Sequence, residues 1–208
     1  MQSEELKIAC MQANPHLGHV SENVEKLIMM RERASEMGAD ILVTPEMYLS
    51  GYPADDLVLR GDFMSAIAEA VSRLAALTAD GGPAIIVGAP CCDGDQLFNS
   101  AFVLDNGKIL ARRAKVNLPN YGVFDDKRHF AQGALQGPVE VRGVRVGLAI
   151  CEDVWFEDVC ETVAESGAQI LISLNASPFE TGKTDSRTVH VVSRITETGL
   201  PLVYVNMI

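Results

Sequence analysis

The sequence predicts a mixed α/β fold, in which a mixed sheet is covered on its outside by helices. Three observations carry that expectation. Strand and helix patterns alternate at both ends of the chain, and two hairpin signals fall in its middle. The chain has 208 residues, 48% of them hydrophobic, enough for one sizeable core.

Leu6 to Met11 reads as the opening strand. Ser21 has the chemistry of an N-cap. After it, Val24, Leu27, Ile28, Arg31, Ala34 and Met37 keep a helical period that Gly38 closes. Ile41 to Val43 is a short buried strand running into Thr44-Pro45-Glu46. A loop over 47–56 carries Gly51, Tyr52 and Pro53, and a second helix runs from about Phe63 to Leu77. Ala84 to Gly88 is the third strand.

Phe98–Leu104 and Lys108–Lys115 flank Asp105-Asn106-Gly107, a strong hairpin signal because both central residues accept positive φ. A polar, aromatic loop occupies 117–133. A second hairpin turns at Arg142-Gly143 into the apolar strand Val146–Ile150, which stops at Cys151. Glu152, Asp153 and a helical pattern from Val154 to Ser166 follow. Then come a strand (Ile170–Leu174), a loop to Lys183, a helix from about Ser186 to Thr198, and a last strand, Leu202–Met207. No repeat, low-complexity tract or linker divides the chain.

The net charge of −11 argues against nucleic acid or an anionic membrane as partner. The five cysteines (Cys10, Cys91, Cys92, Cys151, Cys160) form no CxxC pair, and the four histidines are scattered, so neither a disulfide framework nor a metal site is expected. No stretch resembles a signal peptide and no apolar run reaches membrane-spanning length. The expected compartment is the reducing cytoplasm.

Three residues at predicted strand ends make a chemical set. Cys151 stands at a strand-to-helix turn, where a helix start favours thiolate and its free N–H groups face an anion. Alone, a cysteine ending an apolar strand is more often an inert core residue. Glu46 ends a buried strand, as suits a general base. Lys115 ends the hairpin strand, where a lysine is ordinarily a solvated edge guard. Together they supply a nucleophile, a base and a cation for an oxyanion, at sheet ends where α/β proteins build sites.

The set resembles that of the nitrilase superfamily of carbon-nitrogen hydrolases, whose catalytic residues are Glu, Lys and Cys. The stretches Pro-Glu-Met-Tyr-Leu-Ser-Gly-Tyr-Pro-Ala-Asp-Asp-Leu, Lys-Val-Asn-Leu-Pro-Asn-Tyr-Gly-Val-Phe-Asp-Asp and Cys-Glu-Asp-Val-Trp are similar to the glutamine amidotransferase domain of glutamine-dependent NAD synthetases, and the likeness runs the length of the chain. It implies a four-layer α-β-β-α sandwich that self-associates through its helical faces. It implies that Cys151 attacks the amide of L-glutamine, that Glu46 moves the protons, and that Lys115 and the N–H of Glu152 hold the oxyanion. By motif match, Tyr121, Ser177 and Lys183 bind glutamine, and Tyr52 lines the pocket. No cofactor is implied for this portion. ATP and Mg belong to a synthetase domain of the same polypeptide, which is missing here along with the later part of the glutaminase fold.

Asp126 stands where that family usually has glutamate. Gly182-Lys183-Thr184 imitates the end of a phosphate loop, but the required earlier glycine is Ser177, which excludes it. The rival readings are a free-standing amidase acting on a small aliphatic amide, and a non-catalytic scaffold. The intact trio weighs against the second.

Overall fold

The computed structural model describes residues 5–178 and 183–208, with the side chains of 183–185 outside that description. Gly182 and the side chain of Lys183 therefore lie outside the described residues. Among those described, the strands form two sheets where the sequence pattern alone suggested one. The first has the order β1 (Ile8–Cys10), β2 (Ile41–Val43), β3 (Ala84–Asp93), β4 (Gln96–Asp105), β5 (Lys108–Ala114). The second has the order β6 (Val139–Val141), β7 (Val144–Ile150), β8 (Ile170–Asn175), β9 (Leu202–Asn206). β1, β2 and β3 are parallel, β3 to β5 antiparallel, and β7 to β9 parallel. The break between sheets falls in the 117–133 loop, where periodicity carries no signal.

Alternation along the strands explains the layers. Ile41, Val43, Ile86, Ala101 and Val103 of the first sheet meet Val146, Leu148, Ile150, Ile172 and Leu174 of the second, in one apolar cluster. The opposite faces of the same strands (Leu42, Ile85, Val87, Phe102, Leu104) pack on Val24 and Leu27 of α1 (Val20–Glu36) and on Ile67, Val71 and Leu74 of α2 (Gly61–Leu77). On the far side, Ala149 and Leu171 pack on Val159, Cys160 and Val163 of α4 (Asp158–Glu165) and on Val191 of α5 (Lys183–Thr198). The result is the α-β-β-α order, with α3 (Asp126–His129) as a single turn in the long loop.

Several expected boundaries move. Ser21 lies inside α1, which starts after His19 with no side-chain cap. The segment after Cys151 is a 3-10 turn (Cys151–Val154), and α4 begins only at Asp158. β3 runs on to Asp93 and makes a further hairpin with β4 through Gly94 (φ 58°). The Asn106-Gly107 turn has φ 51° and 74°, as its sequence required. No helix among the described residues is long and apolar enough to cross a membrane.

Arg31 sits in the apolar stripe of α1 with only 4% exposure. Its guanidinium grips both Asp80 oxygens (2.8 and 2.7 Å) and donates to the carbonyl of Pro83 (2.8 Å), tying α1 to the turn that feeds β3. The Arg31 fork and the Gly82 N–H hold the Asp80 carboxyl down at about 2, below its ordinary 3.8. A lowered folded-state value means stabilisation present above the ordinary range and lost as pH falls through about 2. Asp80 is half exposed, so the effect is screened to about 1 kcal/mol. Asp80→Asn should lower the melting temperature at pH 7 by about 2–4 °C. Scanning calorimetry at falling pH should show the gap closing; a gap unchanged down to acid would refute the linkage.

Candidate active site

Glu46 is carried by the loop that leaves β2, and it is 1% exposed. The loop lies directly on Gly88 of β3. A Cβ there would stand 2.5 Å from the Met47 nitrogen and 2.6 Å from the Pro45 carbonyl oxygen, so only glycine admits this approach. Met47 turns away with φ 50°. The Glu46 carboxylate accepts from Lys115 Nζ (2.8 Å) and Asn99 Nδ2 (2.7 Å) on Oε1, and from the Ala176 N–H (3.0 Å) on Oε2.

Lys115 follows β5 and is also 1% exposed. Its backbone is held on both sides, donating to the Asn99 carbonyl (2.8 Å) and accepting from the Gly133 N–H (2.8 Å). Gly133 has no room for a side chain: a Cβ would meet the Ala114 carbonyl at 2.5 Å. Lys115 Nζ bridges Glu46 and Asp126 Oδ2 (2.7 Å). Burial alone would lower its pKa, but the Glu46 and Asp126 carboxylates in contact with it carry it above the ordinary lysine value. Asp126, the departure noted above, accepts the Tyr52 hydroxyl (2.8 Å) on its other oxygen.

Cys151 ends β7 at φ 49°, a left-handed conformation that costs a non-glycine residue about 1–3 kcal/mol and recurs where a side chain must be presented at an elbow. Its thiol is buried beside Glu46, Lys115 and the Ala176 N–H. The expectation of a helix-stabilised thiolate is overturned. Burial, and then the Glu46 carboxylate, push the thiol well above its ordinary value, and the opposing pull of Lys115 and Ala176 does not restore it. The 3-10 turn replaces the helix start that the expectation relied on.

The glutamine-binding candidates are not gathered in one hollow. Ser177 and Tyr52 line a cavity of ≈ 520 Å³ with Phe124, Ala176, Arg187 and Asn206. Tyr121 and Glu152 line a neighbouring one of ≈ 550 Å³, where the Tyr121 hydroxyl donates to both Glu152 oxygens (2.9 and 3.0 Å). The Phe124 ring connects them, edge-on to Tyr121 at 5.6 Å and beside Tyr52 at 6.5 Å. A roomier hollow of ≈ 590 Å³ between α1 and α2 holds none of these residues, so the chemistry and not the volume locates the site.

Four participants were missed. Asn99 left a faint signal as a polar residue in the run Phe98-Asn99-Ser100-Ala101-Phe102. Arg187 donates to the Ser177 hydroxyl (3.3 and 3.1 Å) and carbonyl (3.0 Å), and Asn206 accepts the Ser177 N–H (3.0 Å). Nothing in the local sequence of either marks this. Phe124 belongs to a motif that had been noticed, without a role.

Residues 7–208 match the family described as Carbon-nitrogen hydrolase. A glutamine-dependent NAD(+) synthetase of Rhodobacter capsulatus is 38% identical over 206 residues, covering 99% of this chain and 37% of the relative. One from Xylella fastidiosa is 39% identical over 209 residues, covering 99% and 38%. Among solved structures, a glutamine-dependent NAD+ synthetase of Acinetobacter baumannii in complex with ADP superposes with TM-score 0.91 at 33% identity, covering 98% of this chain and 38% of that one. An amidase from Nesterenkonia sp. superposes with TM-score 0.87 at 28% identity, covering 100% and 78%. The chain thus spans well under half the length of the two synthetase relatives.

The buried cluster predicts its own fragility. Lys115→Met would strand Glu46 and Asp126 as adjacent buried carboxylates. Stability at pH 7 should fall by about 3–5 kcal/mol in urea titrations, whereas a loss below about 1 kcal/mol would mean that the pair is solvated.

Proposed function

From the premise that this chain belongs to the carbon-nitrogen hydrolase family, we propose that it is the glutaminase portion of a longer glutamine-dependent NAD synthetase. Its reaction is glutamine plus water to glutamate plus ammonia. The observation that carries this reading is the single buried cluster of Cys151, Glu46 and Lys115, three groups suited to acyl transfer through a thioester.

In this mechanism Glu46 takes the thiol proton as Cys151 Sγ attacks the side-chain amide carbon. Lys115 Nζ and the Glu152 N–H hold the oxygen as it becomes an oxyanion. Glu46 then protonates the departing nitrogen, and ammonia leaves the thioester. A water deprotonated by Glu46 attacks the same carbon, and glutamate departs with the thiol restored. The neutral resting thiol suits this sequence, because the proton moves only when the attack has somewhere to put the negative charge.

Ser177, held by Arg187 and Asn206, and Tyr121, held on Glu152, are the head-group contacts of the bound amino acid. Lys183 and Tyr52 complete the set, Tyr52 through Asp126. The ammonia passes to a synthetase domain of the same polypeptide, where ATP and Mg serve the amidation of nicotinate adenine dinucleotide. No residue of this chain is assigned to either. The assembly is a cytoplasmic homo-oligomer joined through its helical faces. The relatives' names and their greater length support this over a free-standing amidase; the Nesterenkonia amidase matches at lower identity.

In the full-length protein, Cys151→Ala should abolish glutamine-dependent NAD formation and leave ammonia-dependent formation within about twofold, since oxyanion and nucleophile losses act only at their own site. Equal loss of both would overturn the two-site reading. A glutamine-mimicking electrophile should label Cys151; labelling of Cys91 or Cys160 in its place would overturn the assignment of the nucleophile.

A further inference from the structure

The proposed site is assembled from two sheets. Glu46 and Lys115 come from the strand ends of the first, and Cys151 and the Glu152 N–H from the elbow of the second. An oxyanion hole needs its donors to converge on one oxygen, and a misplacement near 1 Å costs on the order of 100-fold in rate. Something must fix the Lys115 strand end against the Cys151 elbow, and the chemistry so far described does not.

Asp153 stands at that junction. It is 2% exposed and lies two residues beyond the nucleophile. Its Oδ1 accepts the backbone N–H groups of Val116 (3.1 Å) and Asn117 (2.7 Å), the two residues that follow Lys115. Its Oδ2 accepts the N–H of Ile150 (2.9 Å), the residue that precedes Cys151. One carboxylate therefore receives the strand end of one sheet on one oxygen and the elbow of the other sheet on the second. The neighbouring contacts pull the same way: Asn117 Nδ2 donates to Asp158 Oδ1 (2.9 Å), and the Val116 side chain packs with Ala149, Val154 and Val159. The other side of Lys115 is already fixed by Asn99 and Gly133.

We propose that Asp153 is a positioning residue for the amide-hydrolysing site, setting the placement of Lys115 relative to Cys151 by bridging their two backbone segments. It rests on the amidotransferase reading only for the name of the substrate. An asparagine of the same shape has one oxygen and one NH2, so it cannot accept from both sides. Burial pushes the Asp153 carboxyl up to about 7 even against the three N–H donors and Lys115, so the N–H donors on both of its oxygens and not an easy ionisation define its role.

The test is made in the full-length protein with Asp153→Asn and Asp153→Glu, each counted per reactive Cys151 thiol. For glutamine hydrolysis, kcat should fall about 100-fold with KM within about twofold, the signature of a lost transition-state contact. Inactivation by acrylamide, whose amide oxygen must be held, should slow in parallel. Modification by methyl methanethiolsulfonate, which needs the deprotonated sulfur but no held oxygen and releases methanesulfinate, should change less than about threefold. The inference is overturned if folded variants keep kcat within about threefold of wild type, or if both reagents slow together. It is also overturned if neither variant folds, because Asp153 would then hold the fold and not the site. A wild-type protein that releases no glutamate sinks the amidotransferase reading instead, and the two reagent rates still decide on Asp153.

Discussion

A lysine ammonium buried away from the surface needs a hydrogen-bond acceptor for nearly every N–H. Lys115 has three, and two of them go to Glu46 and Asp126. The third is what a substrate oxygen would use. The rest of the site follows from that arrangement. Two carboxylates close to one another are tolerable only with the ammonium between them, and each needs further donors. Asn99, the Ala176 N–H and the Tyr52 hydroxyl are those donors. Gly88 and Gly133 have no side chain because the backbone carrying Glu46 and Lys115 must press against the neighbouring chain to bring the charges together.

The same charges decide the state of the sulfur. One ammonium against two carboxylates leaves the cluster with one net negative charge while Cys151 is a thiol. Ionising it in place would leave two, in a buried pocket. Burial and the Glu46 carboxylate hold the thiol well above its ordinary value against the pull of Lys115 and the Ala176 N–H, although the sequence context pointed the other way. A protonated nucleophile with a carboxylate in contact is not idle. In the proposed reaction, moving the proton from sulfur to Glu46 exchanges one negative charge for another, and the attack then passes that charge to an oxygen facing Lys115. Net charge in the pocket is unchanged throughout, so the reaction avoids building charge in a medium that cannot solvate it.

Much of this was legible in the chain. Ile41–Val43, Val146–Ile150 and the Asn106-Gly107 turn are local patterns, and local patterns gave the elements. The three motif residues pointed to one place because each closes a predicted strand. Two kinds of information were not local. The division into two sheets depends on where the chain goes in 117–133, a stretch whose backbone follows long-range bonds such as Gly133 to Lys115 and Ala131 to Leu97. Asn99, Arg187 and Asn206 act through partners far from them in sequence. Asn99 and Glu46 are separated by 53 positions, and no window of sequence joins them. Ser21 failed for a different reason: a good capping residue predicts a cap only if the helix begins after it, and the turn at Gly18 (φ 77°) lets α1 begin at Val20.

Asp126 shows how a loop backbone can deliver a short carboxylate to a buried ammonium. An aspartate has a single methylene between backbone and carboxyl, so its chain must run close to the ammonium that it meets. The loop does so. The Asp126 N–H is tied to the Pro119 carbonyl at 3.2 Å and its carbonyl receives the Phe130 N–H at 2.9 Å, so α3 starts at the residue whose side chain faces inward. Lys115 then meets Oδ2 at 2.7 Å, as close as its contact with Glu46. Its Oδ1 accepts the hydroxyl of Tyr52, which lines the cavity. The wall residue Tyr52 is thus coupled to the ammonium through a single carboxylate.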